Sequence, residues 1–127
     1  MNYKNLQKTD LDLTRWENYA PDAYEAIRLS EDDISEIARG TDWSEYRIQR
    51  IKNHLFYDEH QLYDGVRRFD PDPDIADAWV RLQRGEHNEE DLRLLDHEYF
   101  ESRFEGIFHT DARTAHEATL RSGRKWK

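Results

Sequence analysis

Apolar residues recur every three or four positions along most of the chain, which is the spacing of one face of an α-helix. Glycine and proline stand where this pattern breaks. The pattern predicts helices over residues 21–29, 30–40, 44–55, 73–84 and 89–105, a last helix from near residue 111, and a short helix over residues 10–19. We therefore expect an all-α fold: a single small domain of five to six short helices around one aromatic-rich core.

Large aromatic side chains are the expected core material. The 127 residues include four Trp, seven Tyr and five Phe, which offset a charged content of 37% that alone would favour disorder. The length is that of one domain. We expect residues 1–127 to form a single domain, with residues 1–29 as an N-terminal extension or helices and residues 30–126 as the main helical module.

Composition excludes several classes of function. There is no cysteine, so disulfides, thiolate metal ligands and a cysteine nucleophile are excluded. No apolar run approaches the ~18 residues of a membrane span, and no apolar targeting segment begins the chain, so we expect a soluble protein with no membrane partner. The net charge of -9 disfavours passive binding of nucleic acid through a generally basic surface. It leaves room for an enzyme with a local basic groove.

A titratable pair lies on an apolar face of the predicted helix over residues 89–105. His97 and Glu101 are one turn apart and fall beside Leu94 and Phe104 rather than among the charges. Burying an imidazole and a carboxylate without partners would cost several kcal/mol. Either the two groups satisfy each other within a structural polar network, or the site is open to a ligand as an active site.

The same stretch carries a partial metal-binding motif. His97-Glu98-x-x-Glu101 differs from the zinc-protease motif His-Glu-x-x-His by having Glu at the last position. With His116 or His109 downstream, a His/Glu/His site for zinc or another divalent metal is geometrically possible. The one-letter departure removes most of the motif's specificity, so no cofactor is predicted and a divalent metal ion remains compatible.

Metal-free acid–base chemistry is the function that these residue types favour. His54 or His97 would act as base or acid, Glu101 would orient the imidazole, and an arginine would stabilise an anion. Cleavage of phosphodiesters or other phosphate chemistry uses such groups. We expect one cleft to combine the catalytic residues His54, Arg68, His97, Glu101 and His116 with the substrate-binding residues His60, Arg67 and Arg81.

The connection before the helix at 73–84 has two interpretations. Arg67 and Arg68 are the only adjacent arginines, and residues 70–74 alternate Asp with Pro in a segment that cannot be helical throughout. This loop would either place the arginines beside His54 and His60, or pair its own Asp and Arg side chains. Asp64-Gly65 predicts a turn, and because His60 lies near it, solvation is the alternative for this histidine.

A helix-turn-helix is a further alternative. The helices over residues 30–40 and 44–55 meet across Gly40-Thr41, and the second would be the recognition helix of a DNA-binding module. Its side chains suited to phosphates and base edges are Arg47, Gln49, Arg50, Lys52 and Asn53. The acidic first helix and the acidic chain oppose this interpretation. In a non-enzymatic module of this kind, or in a helical interaction domain, the His/Glu pair would be structural.

Several segments together resemble a domain found at the C-termini of bacterial polymorphic toxins, Rhs-type proteins and some phage head proteins. The segments are 51–56, His60, 68–72, 75–85, 91–101 and Ala115-His116, within about residues 30–126. The polar positions that match are His54, His60, Arg68, Asp72, Arg81, His97, Glu98, Glu101 and His116. The chain departs from the pattern at Phe108-His109, where a Gly-Tyr-like turn is expected.

The resemblance implies a small helical effector module, a toxin tip carried by a larger secreted protein in interbacterial competition. It further implies delivery by a secretion system into the cytoplasm of a target cell and a cognate immunity protein as partner. With the acid–base residues above, it predicts a toxin-type catalytic domain acting on nucleic acid or a nucleotide. The reaction would be that of a nuclease-like hydrolase or a transferase.

Overall fold

Helices make up most of the structure, a computed structural model that describes residues 11–127. The six α-helices in this part of the chain are α1 (Ala20–Leu29), α2 (Asp33–Gly40), α3 (Glu45–Lys52), α4 (Pro73–Arg84), α5 (Glu89–Phe108) and α6 (Ala112–Arg121). Residues 11–14 are also helical, and π-helical turns at Arg15–Tyr19 and Asn53–Tyr57 adjoin α1 and α3. The all-α prediction is confirmed. Residues 1–10 of the predicted N-terminal extension lie outside the described residues.

The one sheet within residues 11–127 is a small hairpin. Strands β1 (His60–Leu62) and β2 (Gly65–Arg67) pair antiparallel, with His60 opposite Arg67. Gly65 has φ of 133°, a conformation that side chains disfavour, so the predicted turn at Asp64-Gly65 is confirmed. None of the helices in this same range is long and apolar enough to cross a membrane.

Most helix boundaries follow the local capping signals. Asp72 accepts hydrogen bonds from the first turn of α4, and Gly85 ends that helix in the left-handed region with φ of 71°. Asn88 begins α5 through a capping box, as its position before an acidic first turn predicts. These caps fix where α5 starts, and so the direction in which each of its side chains points.

The predicted end of α5 at residue 105, which would make Gly106 its terminating residue, is wrong. The helix continues to Phe108, and His109 takes the left-handed end position with φ of 53°. A Cβ added at Gly106 would lie 3.1 Å from Nη2 of Arg50, so the missing side chain makes room for a guanidinium from α3. This glycine therefore serves close packing between two helices rather than a helix end.

Three aromatic rings form the centre of the core. Phe56 contacts Tyr24 edge-on at 4.6 Å and Trp79 at 5.3 Å between ring centroids, and all three side chains are buried. The surrounding buried aliphatic residues are Ile27, Ile37, Ile48, Ile51, Leu55, Leu82 and Leu95. The expected aromatic-rich core is confirmed, and it packs α1–α5 around the turn that carries His54.

Candidate active site

In its middle turns, helix α5 presents the three titratable side chains His97, Glu98 and Glu101 on its buried face. His97, Glu98 and Glu101 are only 3%, 6% and 5% exposed, and the neighbouring Leu94 and Leu95 are fully buried. The prediction that His97 and Glu101 lie on an apolar face is confirmed for Leu94, whereas Phe104 is only partly buried and lines a cavity on the outer face of α5. Such groups need partners from other elements, because an unpaired buried charge is costly.

The first partner comes from the π-helical turn after α3. His54, Leu55 and Phe56 are all buried, although three consecutive residues of a regular α-helix cannot all face one core. The widened turn, in which Asp58 N–H donates to the Asn53 carbonyl at 2.7 Å, changes the phase of the side chains. As a result, Nε2 of His54 lies 3.3 Å from Glu98 Oε2 and 3.4 Å from Glu101 Oε1.

The second partner comes from α6. Its buried face consists of small residues, as the sequence predicts, so α6 packs closely against α5. His116 Nδ1 and His97 Nε2 each lie 3.2 Å from Oε2 of Glu101. The His116 side chain is 51% exposed, so this end of the cluster is open to solvent.

The C-terminal tail fixes the orientation of His97. Gly123 turns the chain with φ of 89°, and the Arg124 carbonyl beyond it accepts a hydrogen bond of 2.7 Å from His97 Nδ1. Nδ1 therefore carries a proton, and Nε2 faces Glu101. Sequence reasoning missed this contact because a backbone carbonyl leaves no residue-type signal.

The cluster has a strong preference for positive charge. Burial lowers the pKa of His54, but hydrogen bonds to Glu101 and Glu98 outweigh it and raise the pKa to about 10. Burial also lowers the pKa of His97, but its hydrogen bond to Glu101 outweighs this and raises the pKa. The pKa of His116 is raised mainly by its hydrogen bond to Glu101. Burial would raise the pKa of Glu101, yet the three histidines hold it well below its usual range. Protons and metal cations compete for such nitrogen lone pairs.

These side chains also meet the geometric requirement for a metal ion. The ligand atoms of His97, Glu101 and His116 all lie within 4.8 Å of one another, as do those of His54, Glu98 and Glu101. A tetrahedral site with bonds of ~2.0–2.1 Å has ligand–ligand edges of ~3.3 Å. The 3.2 Å contacts of Glu101 Oε2 match that spacing. The hydrogen bond from His97 to a carbonyl is the usual support of a metal-ligating histidine.

His60 supports the cluster from behind. The expectation that it is solvated is wrong, since it is 3% exposed. Its Nε2 donates to the His54 carbonyl at 2.8 Å, its Nδ1 lies 2.5 Å from Glu105 Oε1, and its ring stacks on Phe69 at 3.8 Å. These contacts fill both ring nitrogens and hold the turn that carries His54. Both ring nitrogens therefore have partners within the fold, which argues against the predicted substrate-binding role of His60.

The predicted arginines lie elsewhere. Arg68 is exposed and donates to the Tyr57 carbonyl, and Arg67 pairs with Asp64 and Asp70 within the hairpin. Of the five predicted catalytic residues, the structure brings together His54, His97, Glu101 and His116, without Arg68. The connecting loop therefore follows the alternative in which its own charges pair.

Arg81, a residue of α4, contacts the opposite end of α5. Its guanidinium makes two hydrogen bonds of 2.8 Å to the buried Asp91 carboxylate. Asp91 precedes Glu101 by ten residues, or ~15 Å of helix. This pair reinforces the capping box at the start of α5, so Arg81 is separated from the histidine cluster.

The α5 side chains of the cluster and His116 line a cleft made of two cavities that share Phe69, Glu101 and His116. His54 is not part of this cleft and lines a separate cavity of about 460 Å³. One cavity, of about 370 Å³, is walled by Trp16 and Trp126. The other, of about 690 Å³, extends past the hairpin. The shared residues place the Glu101 carboxylate where a ligand in either cavity could reach it.

The predicted recognition helix packs into the fold through its polar side chains. Lys52 is buried in an ion pair with Asp33, and Arg50 donates to Ser102 Oγ of α5 at 3.1 Å. Arg47 is exposed and lies over the Tyr99 ring at 5.2 Å. Lys52 and Arg50 are thus committed to internal contacts that a DNA-reading helix would have to give up.

Comparison with protein-family models, with curated proteins and with solved structures finds no match to this chain. The function must therefore be inferred from the chemistry of the cluster. Its defining feature is one buried carboxylate that faces three imidazoles at the edge of a cleft.

Proposed function

We propose that this chain is the catalytic domain of a toxin-type effector that hydrolyses phosphate esters in nucleic acid or nucleotides. A divalent metal ion would be held by His97 Nε2, Glu101 Oε2 and His116 Nδ1. The observation that carries the proposal is the pair of 3.2 Å contacts that both histidines make with one carboxylate oxygen, at the half-exposed edge of a cleft. Two histidines and one carboxylate form a common ligand set of hydrolytic metal sites.

The metal ion would replace the arginine that the sequence predicts for anion stabilisation. Arg67, Arg68 and Arg81 all have other partners. In hydrolysis, water adds to phosphorus and the P–O ester bond breaks. A base takes the proton lost by water, and an acid gives a proton to the leaving oxygen. With only this one ion bound, the buried His54–Glu98 pair would hold and release such a proton.

The outer face of α5 favours nucleic acid as the substrate class. Phe100, Phe104 and Phe108 form a row at intervals of four residues, with centroids 6.2 Å and 4.6 Å apart. Arginines flank the row in a cavity of about 500 Å³; they are Arg47, Arg103 and Arg124. Aromatic rings with arginines suit stacked bases and phosphates of a single strand. Asp96 lines the same cavity and pairs with Arg124, so Arg47 and Arg103 would supply the local positive charge despite the net charge of -9.

The tail joins this surface to the cluster. Arg124 accepts from His97 through its carbonyl and places its guanidinium 4.7 Å over the Phe100 ring. The tail therefore contacts both the aromatic row and one of the proposed metal ligands. Together with the resemblance to toxin C-terminal domains, this supports an effector delivered into a target cell and a cognate immunity protein that blocks the cleft.

The test combines nuclease assays with growth of a bacterial host. Wild-type protein is incubated with labelled single-stranded RNA, single-stranded DNA and nucleotides, with Mn²⁺ or with EDTA. We expect cleavage that EDTA abolishes and that His97→Gln reduces by at least ~100-fold, with toxicity on induced expression lost in parallel. The control is His109→Asn, which removes an exposed histidine and keeps a residue tolerant of positive φ.

Folded wild-type protein without toxicity or cleavage of any of these substrates would overturn the proposal. The His/Glu cluster would then be structural. In that case His97→Gln should cost ~1–3 kcal/mol of unfolding free energy by leaving buried partners unpaired.

A further inference from the structure

We propose that the cluster holds two divalent cations, with Glu101 bridging them through its two carboxylate oxygens. The first is the cation of the proposed function, on which this inference rests. The second would be held by His54 Nε2, Glu98 Oε2 and Glu101 Oε1. The two ligand sets together use six different atoms, and no atom serves twice.

The orientation of Glu101 divides the cluster into two halves. Its Oε1 faces only the His54 side at 3.4 Å, whereas its Oε2 faces His97 and His116 at 3.2 Å. A carboxylate placed in this way spans two ions ~3.5–4 Å apart, the separation found in two-metal phosphate-ester hydrolases. Such two-ion sites serve phosphatases and nucleases as well as aminopeptidases, so the arrangement is consistent with the proposed phosphate chemistry.

The second half has the spacing of a coordination site. Its His54 nitrogen lies 3.3 Å from Glu98 Oε2 and 3.4 Å from Glu101 Oε1, close to the ~3.3 Å edge expected for a small divalent ion. His54 and Glu98 side chains are 3% and 8% exposed, so this ion would be enclosed. The first ion, beside the half-exposed His116, would be the one open to substrate.

The charge of a two-ion cluster would suit an anionic substrate. Two carboxylates and three neutral imidazoles give the cluster a charge of about −2, which one divalent ion balances. A second ion leaves a net positive site, suited to an anionic phosphate. On binding it, His54 gives its Nε2 lone pair to the cation and releases the proton that it otherwise donates to the carboxylates.

The experiment measures the number of ions per chain. Chelator-treated protein is titrated with Mn²⁺ by calorimetry, and bound Mn²⁺ is counted by elemental analysis after dialysis. We expect two ions per wild-type chain and one for Glu98→Gln. The matched control is Glu89→Gln, which changes an exposed carboxylate at the other end of α5 and should keep two ions.

Electron paramagnetic resonance of the wild-type protein supplies a readout that needs no variant. Two Mn²⁺ ions bridged by Glu101 should give a spin-coupled spectrum, and isolated ions a simple six-line spectrum. One ion per wild-type chain would overturn the second site and leave the proposed function standing. No bound ion would overturn both. Two ions in a folded Glu98→Gln variant would place the second ion elsewhere and also overturn the inference.

Discussion

A buried ion pair at the base of the His54 turn is the most direct test of how the fold positions the site. Lys52 Nζ lies 2.8 Å from Asp33 Oδ2, and both side chains are at most 4% exposed. Asp33 Oδ2 also accepts from the Trp79 indole at 3.0 Å, and Lys52 donates to the Ser30 carbonyl. Lys52 ends α3, two residues before His54, so this network sets where the π-helical turn begins.

The contacts allow the magnitudes to be worked out. Asp33→Asn keeps an acceptor for Trp79 but strands the Lys52 ammonium, which should cost ~3–5 kcal/mol of unfolding free energy. Lys52→Met leaves the Asp33 carboxylate without its cation but with the Trp79 indole as a donor, so we expect a loss of ~3 kcal/mol of unfolding free energy. The double variant leaves no buried charge and should cost ~1–2 kcal/mol, well below the sum of the single changes.

The assay is urea denaturation of the four proteins at pH 7, followed by circular dichroism. The single variants should shift the midpoint strongly, with the slope unchanged, and the double variant should recover most of the loss. Single costs below ~1 kcal/mol that simply add would refute the reasoning, because they would mean that solvent reaches this pair. They would also reopen Lys52 as a phosphate contact.

Three further predictions concern the site, its helix and the aromatic surface. Zn²⁺ at ~100 times its Kd should stabilise the fold by about 2.7 kcal/mol and raise Tm by roughly 10 °C. Calorimetry should show that His116→Ala loses most of this rise and that His109→Asn keeps it. Equal rises in the two variants would contradict the proposed metal ligands. Burial would raise the pKa of Asp91, but its hydrogen bonds to Arg81 outweigh this and lower the pKa. Asp91 therefore stabilises the fold at pH values above its pKa in the unfolded chain, about 3.9. The stability lost in Asp91→Asn should therefore shrink below about pH 4 in acid-unfolding series, and a constant difference would argue against the pair. Arg103→Glu should weaken single-stranded oligonucleotide binding and reduce its salt dependence by at least about one phosphate contact in fluorescence anisotropy, whereas unchanged binding would remove this surface from the proposal.

Local signals explain how much of the fold could be predicted. Helix α4 has its apolar period, its Asp72 cap and Gly85 as the end, so its limits follow from sequence. Gly106 led to a wrong helix end because a glycine can either end a helix or make room for a neighbouring side chain. Only the tertiary packing against Arg50 distinguishes these two roles. The strand at His60–Leu62 pairs with a partner only three residues away, and three residues are too few to carry a periodic signal.

The candidate site likewise has contacts that the sequence predicts and contacts that it does not. His97 and Glu101 are one helical turn apart, so their proximity can be read from spacing. His54 and His116 meet Glu101 across 47 and 15 residues, and the first of these contacts depends on a change of helical phase that no residue type announces. Arg68 was misassigned because adjacent arginines look available, whereas Arg68 donates to the Tyr57 carbonyl and Arg67 pairs with two nearby aspartates.

The contacts around Glu101 would serve a structural network or an active site equally well, so the active-site proposal draws its support from exposure. A network that only stabilises the fold should be closed, as it is at Asp33 and Lys52, where both side chains are almost fully buried. At Glu101 one of the three histidines, His116, keeps half of its side chain exposed, and two cavities meet there. An imidazole that adds little to the core but orients a nitrogen towards a buried carboxylate is suited to bind something that enters from solvent.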